Sequence, residues 1–291
     1  MNRKSEPHLL CIDLESWIFS KRINKQNLSN AELRRLDNKY KLQALDYALK
    51  SLKNHNQRVT FFVVFKLEEL YPGIIEKILS QGHEVGWHGH SHTTLKTPEV
   101  LIKELELSKT LLKRYHIKGF QAPTISFIRE GYSILKKYGF MYSSSIYGNS
   151  QNTYNLDGIW EIPVSVSNKD RKPKAKDIEY PSDMRFWKVL KYGIPFGSSF
   201  FWSILGRKYY SNKLKEATAQ GEICNLFIHD WQLVTPPSKE YKRDVSILSN
   251  PLFFSFFFFY RKNVSHTFEY LLSNFSFQTF NSFLKNKGGI K

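Results

Sequence analysis

Along the chain, short apolar runs alternate with longer stretches in which leucines recur every three or four positions. His8 to Ile12 is an apolar run that ends in Asp13-Leu14-Glu15, the pattern of a buried strand carrying polar groups at its C-terminal end. From about Asn30 to Lys53, Leu42, Leu45, Leu49 and Leu52 recur at helical spacing with charges between them, which predicts a helix. Val59-Thr60-Phe61-Phe62-Val63-Val64 is β-branched and aromatic and too short for a helix, so it predicts a second buried strand, followed by a helix over Leu67 to Ser80. Gly82 stops that helix, and His83-Glu84-Val85-Gly86-Trp87 leads into His88-Gly89-His90-Ser91-His92. Thr97 as N-cap, Pro98 at the first helical position and Glu99 in the first turn predict a third helix running to about Tyr115. Gly119 to Pro123 is the next predicted strand.

After Ser143-Ser144-Ser145 the rhythm breaks into a polar stretch through Asn155, then a strand over Ile159 to Val166 and a charged surface loop over Asn168 to Lys176. Gly193 to Leu205 mixes aromatic and turn residues and could border a cleft; Ile223 to Ile228 is the last clear strand, ending at His229-Asp230-Trp231. Strands alternating with helices predict βαβ units, a parallel sheet, and functional residues at the C-terminal ends of strands. There is no internal repeat.

Composition adds bounds. At 291 residues, 41% apolar with 16 Tyr and 23 Phe, the chain is expected to form one globular domain over 1–291 with its core at about 8–285. Its formal charge of +17 favours anionic partners, but the lysines are scattered and no nucleic-acid motif is present, so nucleic-acid binding is not expected. Cys11 and Cys224 each sit in an apolar run, too few for a disulfide framework. Met1 to Pro7 is polar and leads directly into the first strand, leaving no secretion-signal core, and no apolar stretch reaches the roughly 20 residues that span a bilayer. The expectation is a cytoplasmic protein, at most peripheral to the inner face of the membrane.

The candidate chemistry lies at strand ends. Asp13 and Glu15, two apart on an extended segment, project from one face. His88 and His92, four apart across a glycine, can converge on one cation, while His90 points elsewhere. Two imidazoles and a carboxylate form the set used by zinc hydrolases and non-haem iron sites, with positions left for water and substrate.

These segments resemble the polysaccharide deacetylase family, also called the NodB-homology or carbohydrate esterase 4 group. The resemblance runs in order through Ile12 to Glu15, Val59 to Val63, Gly82 to Gly86 with His88 and His92, Gln121-Ala122-Pro123, Glu161-Ile162-Pro163 and Phe227-Ile228-His229. It implies a distorted (β/α)7-type barrel. Glu15, His88 and His92 would be the metal ligands, Asp13 the catalytic base and His229 the general acid, with Gln121, Pro123 and Trp231 supporting the substrate site. The Asp-x-Glu spacing, with Trp17 following, is similar to the subset in which one residue separates the two acids. Gln121 stands where the family usually has an arginine paired with the base, and Pro195-Phe196-Gly197-Ser198 resembles the family's Pro-Phe-Gly-Gly.

The resemblance implies a metal-dependent N-deacetylase, most readily with Zn2+ although Fe2+ or Co2+ fit the same ligands, acting on an N-acetylated amino sugar or lipid-linked glycan of a bacterial surface polysaccharide. The oxyanion would lean on the metal and on a backbone N–H between Pro123 and Ile125. The alternatives are a formamide or cyclic-amide hydrolase using the same site, and a catalytically silent sugar-binding or scaffold relative. The run Phe253 to Phe259 before Tyr260-Arg261-Lys262 reads either as a buried barrel-covering segment or as an interfacial patch that touches an anionic bilayer.

Overall fold

The structure is a computed structural model that describes residues 6–19, 23, 26–148, 153–167, 193–234 and 261–288. Its strands are β1 His8–Leu14, β2 Thr60–Val63, β3 Glu84–Trp87, β4 Gly119–Phe120, β5 Tyr142–Ser143, β6 Tyr147–Gly148, β7 Tyr154–Leu156, β8 Ile159–Glu161, β9 Val164–Ser165, β10 Asn225–His229 and β11 Phe277–Gln278. Its helices are α1 Asn30–Asp37, α2 Tyr40–Asn54, α3 Lys66–Leu70, α4 Ile74–Leu79, α5 Pro98–Arg114, α6 Gly131–Lys137, α7 Ser199–Ala219, α8 Arg261–Asn274 and α9 Phe280–Asn286.

The strands form a curled 9-stranded sheet in the order β10-β1-β2-β3-β4-β5-β8-β7, with β11 beside β1 and a separate pair β6-β9. Every pairing is parallel except the β7–β8 hairpin. The predicted α/β class and barrel-like sheet are therefore present. Residues 193–198 run between the β6-β9 pair and β10. The Gly197 amide donates to Ser165 O (2.9 Å) and its carbonyl accepts from Phe227 N (2.8 Å), so Gly197 stitches β9 to β10. A Cβ there would lie 2.4 Å from Asn225 O and 2.7 Å from Ser165 N, which only glycine avoids.

Strand alternation sorts the side chains. Leu10, Ile12 and Leu14 pack outward with Phe61, Val63, Val85 and Trp87 against the helices, whereas Leu9, Cys11, Phe62, Tyr142, Val164 and Phe227 fill the inside. Phe280 of α9 closes the N-terminal mouth, stacked on Tyr142 with centroids 5.4 Å apart. Asp13, in phase with Leu9 and Cys11, thus faces the interior at the opposite, C-terminal mouth.

Several predicted elements are divided. The single helix expected over Asn30 to Lys53 is two, α1 and α2, broken at Asn38 (φ 49) and Lys39 (φ 61). The leucine period continues through the break, but Lys41 at the start of α2 is fully buried and its Nζ binds Asp230 at 2.5 and 2.7 Å, which requires α2 to enter at its own angle. The helix expected over Leu67 to Ser80 is α3 and α4. It is split at Pro72-Gly73, where Gly73 takes φ +89 and the Glu68 carboxylate accepts from Gly73 N and Ile75 N. The strand expected over Ile159 to Val166 is β8 and β9 in separate sheets, since Pro163 between them has no N–H for a ladder.

The strand expected over Gly119 to Pro123 is only β4, and Pro123–Ile125 is a 3₁₀ turn. The last inner strand is shifted to Asn225–His229, so His229 is itself a strand residue. Gly193 to Leu205 is partly the seam and partly the first turns of α7. Asn168 to Lys176 and Phe253 to Tyr260 lie outside the described residues. No helix among the described residues is long and apolar enough to cross a membrane.

Candidate metal centre

The sheet brings the sequence-predicted residues to one mouth. Asp13 and His229 are register partners on neighbouring parallel strands, and both point inward. Glu15 lies one residue past β1, His88 one residue past β3, and His92 on the turn that follows. Parallel strands end together, which is why residues far apart in sequence meet here.

Glu15 Oε2 lies in direct contact with His92 Nε2 and 3.8 Å from His88 Nε2. One donor atom from each of Glu15, His88 and His92 falls within 4.8 Å of the others. His88 Nδ1 is 2.9 Å from the Gln121 carbonyl, which places its proton on Nδ1 and leaves the Nε2 lone pair facing Glu15. Beyond its contact with Glu15, buried His92 Nε2 has no other partner among the described residues. Two imidazole nitrogens converging on a carboxylate oxygen fit a divalent cation in the three-ligand arrangement that leaves coordination positions open.

The electrostatics agree with that fit. Burial works to raise Glu15, but the neighbouring His92 and His229 rings and the hydrogen bonds of His88 and His92 outweigh it and hold the carboxyl well below its usual range. Burial lowers His88. It would lower His92 too, but the adjoining Glu15 carboxylate carries the net shift upward.

The other oxygen of Glu15 faces the opposite way. Glu15 Oε1 is 3.3 Å from His229 Nε2 and accepts from the Trp231 indole nitrogen at 3.2 Å. Trp231 also stacks on His229, with centroids 5.0 Å apart and planes 17° apart. His229 Nε2 is 3.9 Å from Asp13 Oδ2, its Nδ1 is buried without a partner, and burial draws the ring down to about 4. Asp13 moves the opposite way, pushed well above the carboxylate range by burial and then by the charges of Glu15 and Asp230. With its amide nitrogen turned to the carboxylate, Gln121 donates to both Asp13 oxygens. Pro123 is buried at the start of the 3₁₀ turn beside the histidine loop, its Cγ 3.5 Å from where a Gly89 Cβ would stand. His90 is turned away, as expected, with Nε2 3.1 Å from Glu69.

Three features escaped the sequence reading. The Lys41–Asp230 pair, fully buried behind His229, had no signal, because Lys41 reads as one more charge on a helix. Glu161 stands in one of the segments that carry the resemblance, but nothing in the sequence signals its partners. It accepts from Ser145 N at 2.6 Å and Tyr132 Oη at 2.8 Å, with burial raising it to about 7, and Ser145 Oγ in turn accepts from Ala122 N, bracing the loop that carries Pro123. Glu104 reads as a surface helix acid but is buried against the histidine loop.

Comparison with known proteins gives this geometry a context. Residues 36–143 match the family model described as polysaccharide deacetylase, a span that includes His88, His92 and Gln121. A peptidoglycan deacetylase of Helicobacter pylori is 31% identical over 141 residues, 45% of this chain and 48% of that protein. A peptidoglycan-N-acetylglucosamine deacetylase of Bacillus cereus is 40% identical over 47 residues, 16% of this chain and 17% of that protein. The chain spans about half or less of the length of these relatives. A solved structure described as a probable polysaccharide deacetylase from Pseudomonas aeruginosa PAO1 shares the fold over 100% of both chains, with a TM-score of 0.57 at 14% identity. On these matches, residues 36–143 of the chain are similar to the polysaccharide deacetylase family, and the fold is the one seen in the solved relative.

Proposed function

We propose that this chain is a metal-dependent N-deacetylase that hydrolyses the acetamide of an N-acetylated amino sugar. The observation that carries the reading is the convergence of Glu15, His88 and His92 within 4.8 Å beside Asp13 and His229. Zn2+ suits two imidazoles and a carboxylate, and Fe2+ or Co2+ are accepted by the same donors. A divalent ion held there supplies the Lewis acidity that acidifies a water and polarises the acyl carbonyl.

The chain's own groups handle the protons. Asp13, raised by burial, takes the proton that water loses as its oxygen bonds to the acyl carbon. The carbonyl electrons move onto its oxygen, which needs a donor. Ala122 N already donates to Ser145 Oγ, Ile125 N donates to Ala122 O, and Pro123 has no N–H, so within this turn the Thr124 amide is the one without a partner among the described residues. As the C–N bond breaks, His229 Nε2 hands a proton to the leaving nitrogen, giving acetate and a free amine. Since burial keeps His229 neutral at neutral pH, that proton must first reach it, and Asp13 Oδ2 at 3.9 Å is within the span of one bridging water.

The substrate is assigned by chemical class. The named relatives act on peptidoglycan, as their names state, and the reading here is a lipid-linked or oligomeric amino-sugar intermediate met at the cytoplasmic face of the membrane. The run Phe253 to Phe259 beside Tyr260-Arg261-Lys262 supports contact with an anionic bilayer, tested by binding to anionic liposomes at low salt. The neutral Gln121 beside the base supports a second reading, a relative that binds sugar without turning it over.

Acetate release decides between the readings. The metal-loaded protein, offered a panel of N-acetylated glycans and lipid-linked sugars with formamides and cyclic amides beside them, should release one acetate per amine formed. Chelation should stop the release and Zn2+ or Co2+ should restore it. Sugar binding with no acetate from any panel member would favour the silent relative, and release only from formamides or cyclic amides would move the substrate class.

A further inference from the structure

His92, a proposed metal ligand, stands in a backbone conformation that its side chain disfavours. Its φ is +59, in the left-handed region where a residue with a Cβ is uncommon. Such a conformation persists only where the surroundings hold it.

The restraint comes from two helices. On one side the first amides of α3 and the residue before it take the carbonyls of the histidine loop: Phe65 N donates to Gly89 O at 3.0 Å and Lys66 N to His90 O at 2.9 Å. On the other side stands Glu104 of α5, 4% exposed. Its Oε2 accepts from both His90 N and Ser91 N at 2.8 Å, and its Oε1 accepts from Ser91 Oγ at 2.7 Å. The N–H and C=O of His90 are therefore both held, and the turn that delivers His92 is gripped immediately before it.

We propose that Glu104 is a positioning residue for the metal centre: its buried carboxylate locks the His90–Ser91 turn so that His92 meets Glu15 and His88. This rests on the metal reading above. The chemistry explains the residue type. Three donors converge on one side chain, two N–H groups and a hydroxyl, and a carboxylate presents acceptors at both oxygens and no competing donor. A glutamine of the same length can keep both N–H groups on its oxygen only by setting its NH2 against Ser91 Oγ, which must then turn its hydrogen away, so Glu104→Gln loses the charge-assisted grip on the two amides with almost no change in volume. Glu104 touches neither the ion nor a substrate in this arrangement. Its effect passes through the backbone.

The test is metal affinity, measured by Zn2+ competition against a chromophoric chelator, together with the visible absorption spectrum of the Co2+-loaded protein. Glu104→Gln should weaken Zn2+ binding on the order of ten- to a hundredfold, as removal of the groups that orient ligands does, and should shift the Co2+ bands because His92 no longer holds its place. A role confined to folding would lower thermal stability and leave the affinity and spectrum of the folded fraction unchanged, and that result overturns the proposal. If Glu104→Gln does not fold, Ser91→Ala keeps both N–H contacts to Glu104 and removes the hydroxyl, with its contacts to Glu104 and Thr93. A several-fold loss of Zn2+ affinity then supports the proposal and an unchanged affinity overturns it. A wild-type protein that takes up no divalent ion overturns the metal centre itself, a failure distinct from a wild type that binds and a Glu104→Gln protein that binds equally well.

Discussion

The Gln121 amide and the Asp13 carboxylate meet in the closed interior of the barrel, 2.9 and 2.5 Å from amide nitrogen to the two oxygens, with Gln121 0% and Asp13 2% exposed. Among the described residues, no cation reaches Asp13 from this direction. An uncharged donor stabilises the anion less than an arginine would, so the buried carboxyl keeps a high proton affinity, which suits the role of base proposed for it.

Asp13→Asn should therefore lower acetate release by about 10²- to 10⁴-fold while the bound metal stays at the wild-type level. Gln121→Ala leaves a buried carboxyl without its donor and should destabilise the fold by about 1–3 kcal/mol as well as slowing turnover. Metal content by elemental analysis, beside the kinetics, checks both. Loss of metal in Asp13→Asn would move Asp13 from base to ligand.

Behind the site, Lys41 and Asp230 form an ion pair with no exposure on either side. Burial raises Asp230 to about 6 in spite of the nearby amine. Removing one partner strands the other, so Asp230→Ala should cost about 3–5 kcal/mol, whereas the apolar double replacement Lys41→Met with Asp230→Leu should cost much less. Denaturant unfolding of the single and double variants tests the pair. Equal losses would show that it does not act as a unit.

The barrel seam depends on Gly197. A methyl group there meets Asn225 O and Ser165 N well inside contact distance, so Gly197→Ala should destabilise by about 1–3 kcal/mol through overpacking. Gly206, whose added Cβ would meet nothing within 4 Å, has φ +65 instead, and Gly206→Ala tests backbone strain without a clash. Thermal unfolding of the two variants separates these causes, and a Gly197→Ala protein as stable as wild type would remove the seam argument.

His8, 2% exposed at the start of β1, has its Nδ1 3.1 Å from the Cys224 amide, which donates to it. Burial lowers it from 6.5 to about 4. The folded pKa lies below the unfolded one, so this contribution is fully present above pH 6.5 and is lost as pH falls through 4. The drop is worth about 3 kcal/mol. His8→Asn should flatten that part of the stability profile, seen as the difference between the unfolding free energies of the two proteins across pH 4–7. Parallel profiles would show that His8 does not drive the acid loss.

What the sequence determined by itself was local and periodic. The β-branched and aromatic run at Val59 to Val64 and the apolar run at His8 to Ile12 marked strands, because both are too short for a helix and a sheet buries such a run on both faces. Thr97-Pro98 marked the start of α5, because capping is a contact three residues long. The spacing of Asp13 and Glu15, and of His88 and His92, already placed their side chains in pairs, since strand and turn geometry set direction over so few residues. What only the tertiary structure decided was every relation that crosses elements. The leucine period of residues 42–52 says nothing of the break at Asn38-Lys39, which exists because Lys41 reaches Asp230, 189 positions along the chain. The level pairing of Asp13 with His229 comes from the register of β1 on β10, and the Gly197 seam from the closing of the sheet. Glu104 and Lys41 look like ordinary helix charges until packing buries them, because burial is a property of what a residue is set against and is not carried by its neighbours in sequence.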